Sequence, residues 1–148
     1  MNYRILFLVL MSFVLLSCDD DDYPYAEVPS VVLNEFWTQY PDGTDPEFNS
    51  IGEDYEVDFE INGNDYSALF STSGNILKEK KEITWNKLPI EVQEALQKNY
   101  GQKKIEDPEW VRQGEDIYYQ AEVKRFFLDE DIVLDAAGRL DSERKFWK

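Results

Sequence analysis

The side chains here with chemistry to offer are almost all carboxylates. Asp45, Glu47, Glu53 and Asp54 crowd one short stretch, and Asp107, Glu109, Glu115 and Asp116 repeat the arrangement further along. Two chemistries use such groups. Calcium takes roughly six to eight oxygen ligands, so two acidic loops brought together would make a calcium site. A pair of carboxylates also suffices for glycoside hydrolysis, which makes a carboxylate-dependent hydrolase a formal alternative. The spacing lacks the ligand cadence of a known calcium loop, which favours acids that lie in water. With 31 Asp and Glu in the chain, no pair stands out as catalytic.

The rest of the catalytic repertoire is missing. There is no histidine and only one cysteine, Cys18. That removes Ser–His–Asp and Cys–His nucleophiles, histidine bases and His- or Cys-ligated zinc. No nucleophile elbow, phosphate-binding loop, dinucleotide fingerprint or EF-hand spacing occurs. The expectation is a protein that is not an enzyme and needs no cofactor.

Cys18 has a different context. Met1 to Arg4 carry one positive charge, and Ile5 to Leu16 are apolar except for Ser12. That run is short of the roughly 20 residues needed to span a bilayer and fits the core of a secretory signal. It ends in Leu15-Leu16-Ser17-Cys18, which resembles a lipobox with a bulkier residue than usual at Leu16. Residues 1–17 are read as a lipoprotein signal peptide, with Cys18 as the acylated anchor. Asp19 to Asp22 cannot pack in a core, so residues 18–27 form an acidic, solvated tether. An acidic run directly after the cysteine also resembles the surface-export signal of some Gram-negative lipoproteins. The protein is therefore expected to be exported to the outer membrane, facing the periplasm or the cell surface.

Thirty-one acids against 15 basic residues give a net charge of −16. Such a surface repels nucleic acid and anionic lipid, so membrane contact is expected only through the lipid anchor. It favours a basic partner.

The elements that would position the acids repeat with a period of about sixty residues. Val28, Val32, Phe36 and Tyr40 recur every fourth residue, as do Leu88, Val92, Leu96 and Tyr100, placing each set on one helical face. Pro29 and Pro89 sit at the starts; Pro41 with Gly43, and Gly101, sit at the ends. Asp45-Pro46-Glu47-Phe48 and Gly52-Glu53-Asp54 are mirrored by Asp107-Pro108-Glu109-Trp110 and Gly114-Glu115-Asp116. Tyr55, Val57, Phe59 and Ile61 alternate with acids as a strand, and Asn62-Gly63 is a strong hairpin turn. Ile117, Tyr119, Ala121 and Val123 alternate likewise. Gly74 and Gly138 mark the last turn of each copy, and the final strands end in Trp85 and in Phe146-Trp147.

These residues predict an α+β fold of two tandem repeats, residues 28–86 and 87–148. Each is a helix followed by about four antiparallel strands. A sixty-residue unit buries too little surface to be stable alone, so the two are expected to share one sheet with both helices on one face.

The proline-led helix ending in Tyr, the aromatic strand, the Tyr-x-Val-x-Phe strand and the late glycine resemble the PepSY-like repeat. That family is related in fold to the β-lactamase inhibitor protein, and the resemblance spans Val28 to Trp147. It implies one continuous antiparallel sheet, no catalytic residues, calcium regulation in some members, and target binding on the open sheet face in the inhibitor relative. The expected function is thus a non-enzymatic binding module of the cell envelope that holds a protein or peptide on the open face. Calcium binding is the alternative. Candidate contact residues are Tyr118, which lies opposite the Ile117–Val123 apolar set and should be partly exposed, Phe126 or Phe127, and one of Trp85 and Trp147. The competing expectation is that these aromatics close the ends of the core.

Overall fold

The computed structural model describes Tyr25 and residues 27–148. Cys18 and most of the acidic tether lie outside the described residues. Among those described, no helix is long and apolar enough to cross a membrane.

Helix α1 spans Ser30–Gln39 and buries Val32 and Phe36, the two central members of its four-residue stripe. Pro29 precedes its first turn, and Tyr40 closes it by donating its backbone N–H to the Phe36 carbonyl. Helix α2, Ile90–Asn99, repeats this with Pro89 before it and Val92 and Leu96 buried. Gly101 follows at φ +84°, a left-handed conformation that stops the helix at little steric cost. Complete burial of each stripe residue contributes about 1.5–3 kcal/mol, far more than intrinsic propensity gives a ten-residue helix.

Seven strands form one antiparallel sheet in sequence order. They are β1 Thr44–Ile51, β2 Asp54–Ile61, β3 Asn64–Phe70, β4 Ile76–Glu82, β5 Ile105–Gln113, β6 Asp116–Val123 and β7 Glu130–Asp135. Asn62 and Gly63 both take positive φ in the two-residue β2–β3 turn, so Ile61 faces Asn64. Asp45-Pro46 and Asp107-Pro108 lie inside β1 and β5, where the ladder register slips and both aspartates take positive φ. A proline has no N–H for the ladder, and a bulge absorbs the defect.

Beneath α1 lie Val57, Phe59, Ala68 and Phe70; beneath α2 lie Tyr119, Ala121, Val123, Ile132 and Leu134. Tyr66, Lys81, Trp110 and Tyr119 are successive cross-strand partners from β3 to β6. The two apolar clusters therefore occupy the same face, and both helices cover it. The shared α+β sheet follows the expectation at that level.

The strand count does not. Four strands follow α1, but only three follow α2. After β7 the chain turns at Gly138 and makes a single bridge, Leu134 to Leu140. Asp141 then accepts hydrogen bonds from the backbone N–H groups of Glu143 and Arg144 at 3.0 and 3.1 Å, turning the chain off the sheet edge. Residues 141–148, the strap, cross the other face. Trp85 likewise leaves the strand and begins a single 3₁₀ turn, Trp85–Lys87, packed on the α2 cluster.

Candidate binding face

The sheet face turned away from the helices has two unlike halves. On β1–β3 it is uncovered and acidic. Glu47 faces Asp58 across the β1–β2 ladder, and Glu60 faces Asp65 across β2–β3. These carboxylates border a shallow depression of about 360 Å³. Ser67 Oγ donates to Asp58 Oδ1 at 2.6 Å and fixes one wall. The pattern continues on the second half, where Glu82 faces Glu109 and Glu106 faces Glu122. Desolvation, and then the charges of Asp107, Asp65 and Glu109, push the Glu82 carboxyl above its ordinary range. Like charges placed directly opposite each other destabilise a sheet by a few tenths to about 1 kcal/mol per pair.

On β4–β7 the same face carries Val111, Tyr118 and Val133, covered by Phe146 and Trp147 of the strap. Tyr118 does stand on this face, as the alternation requires. It is not partly exposed as expected: its relative exposure is 1%. Arg144 of the strap stacks its guanidinium 4.6 Å from the Tyr118 ring centre, beside Phe146 and Trp147, which pack on the same cluster. Burial pushes the Tyr118 phenol up to about 12, with Arg144 pulling the other way. With the strap in place Tyr118 offers no surface to a partner.

Gln120 sits at the centre of this half and is fully buried. Its amide Nε2 donates to the Trp147 carbonyl at 2.7 Å, while its Oε1 accepts from the Trp147 backbone N–H at 3.0 Å. One side chain thereby satisfies both main-chain groups of one strap residue. Nε2 also donates to Glu109, which pairs with Lys80 at 3.1 Å. Lys80 in turn reaches the Trp147 carbonyl at 3.2 Å. The indole N–H donates to Glu56 Oε2 at 2.6 Å, and the Lys78 ammonium lies 4.7 Å from the indole centre. Lys78 is held below its ordinary pKa, by desolvation first and then by Lys80. Among the described residues no buried polar side-chain atom lacks a partner.

The other expected contact residues divide. Trp147 belongs to this face, whereas Trp85 packs on the helix side. Phe126 and Phe127 lie on neither face. They project from the β6–β7 loop at 92% and 94% exposure. The loop base is tied down by Asp129, which accepts from the Arg125 backbone N–H and pairs with Lys124. Gln120 and the strap had no signal in the sequence: a lone glutamine in a strand and a polar run before two aromatics are both commonplace.

The acidic stretches do not converge. β1 and β5 are four strand spacings apart, about 19 Å at roughly 4.8 Å each. The expectation that the paired loops could join around one calcium ion is corrected by that separation. Among the described residues no three His, Cys, Asp or Glu side chains come together to hold a metal ion.

No protein-family model matches the chain, and no curated protein matches it. Its fold is similar to that of several solved Bacteroides structures. A BLIP-like protein from Bacteroides fragilis superposes with a TM-score of 0.68 at 19% identity, over 86% of this chain and 98% of that one. Two DUF2874 family proteins, from Bacteroides uniformis and Bacteroides ovatus, give TM-scores of 0.69 and 0.67 at 20% and 16% identity. They match over 76% of this chain and over 85% and 83% of their own.

Proposed function

We propose that this protein is a non-enzymatic binding module of the cell envelope, anchored through Cys18, whose sheet face opposite the helices holds a basic protein or peptide. The two-repeat PepSY-like organisation belongs to the same reading. It is supported by the matching Asp-Pro bulges in β1 and β5 and by a BLIP-like fold with one sheet face left without helices.

The observation that carries the proposal is the facing of acid against acid, Glu47 with Asp58 and Glu60 with Asp65, on the uncovered half. Asp58 accepts from the buried Ser67 hydroxyl, but Glu47, Glu60 and Asp65 face other carboxylates, and that mutual repulsion opposes folding. A cationic partner would turn that repulsion into attraction and speed encounter.

The test is the double variant Glu60→Gln, Asp65→Asn. It should raise stability by up to about 1 kcal/mol, because one repulsive pair is gone. Capture of basic envelope proteins at low salt should fall, and wild-type capture should weaken as salt rises. Unchanged capture by the double variant would overturn the acidic face as the site. Cys18→Ala should release the protein from membranes; persistent partition with the membrane fraction would refute the anchor.

A further inference from the structure

We infer that the β4–β7 half of the sheet face is a recognition site for a tryptophan-bearing peptide segment, and that the strap fills it in cis as a built-in competitor. The inference deepens the proposed function, since it rests on that face being the binding face, and it names what the second half reads.

The site has the anatomy of peptide recognition rather than of core packing. A buried glutamine costs stability unless its amide is satisfied, and an apolar side chain would fill the space without that cost. Gln120 instead spends its carbonyl and one N–H on the two backbone groups of a single residue in a segment that is not a strand. This is what one rung of strand addition does, performed by a side chain. It reads backbone and is blind to sequence.

Sequence is read beside it. Glu56 accepts the indole N–H, which a phenylalanine could not supply. Lys78 and Lys80 lie 4.7 and 5.4 Å from the indole centre, and Val111, Tyr118 and Val133 form the floor. The strap's cationic neighbours suit an acidic surround: Arg144 pairs with Asp116 at 2.7 Å and Lys148 with Asp131 at 2.9 Å.

The strap is also built to leave. The β1–β7 ladder is complete without it, and residues 142–148 contribute no strand. Its outer anchors are exposed ion pairs, each worth little in water. A partner segment presenting a tryptophan beside lysine or arginine would find the same contacts once the strap lifts.

The experiment uses the full chain carrying Trp147→Ala and a fluorescent synthetic peptide with the sequence of residues 141–148. Anisotropy should show saturable binding to the variant and at least tenfold weaker binding to the wild type, where the strap competes. Replacing the tryptophan of the peptide with phenylalanine should weaken binding several-fold, and with alanine should abolish it. A folded variant that does not bind, or that binds the alanine peptide equally well, would overturn the inference. A wild-type dimer dissociated by the peptide would put the strap in a second copy and overturn the cis arrangement. Should Trp147→Ala compromise folding, hydrogen exchange on the wild type decides. The Trp147 indole and backbone N–H should exchange faster than the β5–β6 ladder; exchange only through global unfolding would make the strap a fixed part of the core. None of these outcomes depends on Glu60 or Asp65, so this site and the acidic half fail separately.

Discussion

Trp147 donates its indole N–H to Glu56 at 2.6 Å, joining the last residues described to a strand of the first half. A second tie crosses the helix side. Tyr40, at the end of α1, donates its hydroxyl to Glu79 of β4 at 2.7 Å, and Glu79 pairs with Arg112 of β5 at 3.0 Å. Burial, and then the Glu79 carboxylate, push the Tyr40 phenol well above its ordinary range. Both faces of the sheet therefore carry contacts that run from one half to the other.

Tyr118 should behave as a core residue. Tyr118→Ala is expected to cost about 3–5 kcal/mol, the range for removing a large buried aromatic, whereas Tyr118→Phe should cost under about 1 kcal/mol. Urea unfolding of the two variants checks this. An alanine variant as stable as wild type would mean that the strap does not cover Tyr118 in solution.

The same residue predicts alkaline behaviour. An unfolded tyrosine ionises near 10, and Tyr118 in the fold near 12. The fold favours the neutral phenol, so this contribution is fully present below pH 10 and is lost as pH rises towards 12. Stability should fall across that window, and the fall should be smaller in Tyr118→Phe. Equal losses in both proteins would contradict a buried phenol.

At Gly138 the chain after β7 packs directly against helix α2. A Cβ there would lie 2.3 Å from the Glu91 carbonyl oxygen, on a backbone at φ +75°. At Gly114 φ is +62° but nothing lies within 4 Å. Gly114→Ala should therefore cost about 1 kcal/mol from backbone strain alone, and Gly138→Ala distinctly more because α2 must move. Thermal melts of the pair test this, and equal losses would refute the close packing of α2 on the β7 turn.

What could be read from sequence is what repeats with a period. Val32 and Phe36, Val92 and Leu96, and Val57 with Phe59 announced their faces because burial follows the geometry of helix and strand. Asn62-Gly63 announced its turn because both residues accept positive φ. Alternation places Tyr118 on the correct face, but its burial depends on residues 141–148, which carry no periodic signal. Phe146-Trp147 looked like the end of a fourth strand. Asp141, which turns the chain away by capping two backbone N–H groups, resembles any other acid in a chain that has 31 of them. Cross-strand facing of acids was equally hidden, because alternation gives a residue its face and not its partner on the next strand.

The shared sheet makes a last prediction about cooperativity. β4 and β5 pair from Glu79 with Arg112 to Glu82 with Glu109, and the Glu79–Arg112 ion pair and the Trp147–Glu56 bond tie the two halves together on opposite faces. Neither half buries enough apolar surface to be comfortably stable by itself, and separating them would also expose two sheet edges. Unfolding should therefore be a single transition, with tryptophan fluorescence and far-ultraviolet circular dichroism coinciding. Cutting at the exposed Asn86, between β4 and α2, should leave two fragments that are largely disordered or aggregated when separated. Two resolved transitions in the intact chain, or a well-folded fragment of residues 87–148, would show that the seam does not couple the halves. The continuous seven-stranded sheet would then be two independent units laid side by side.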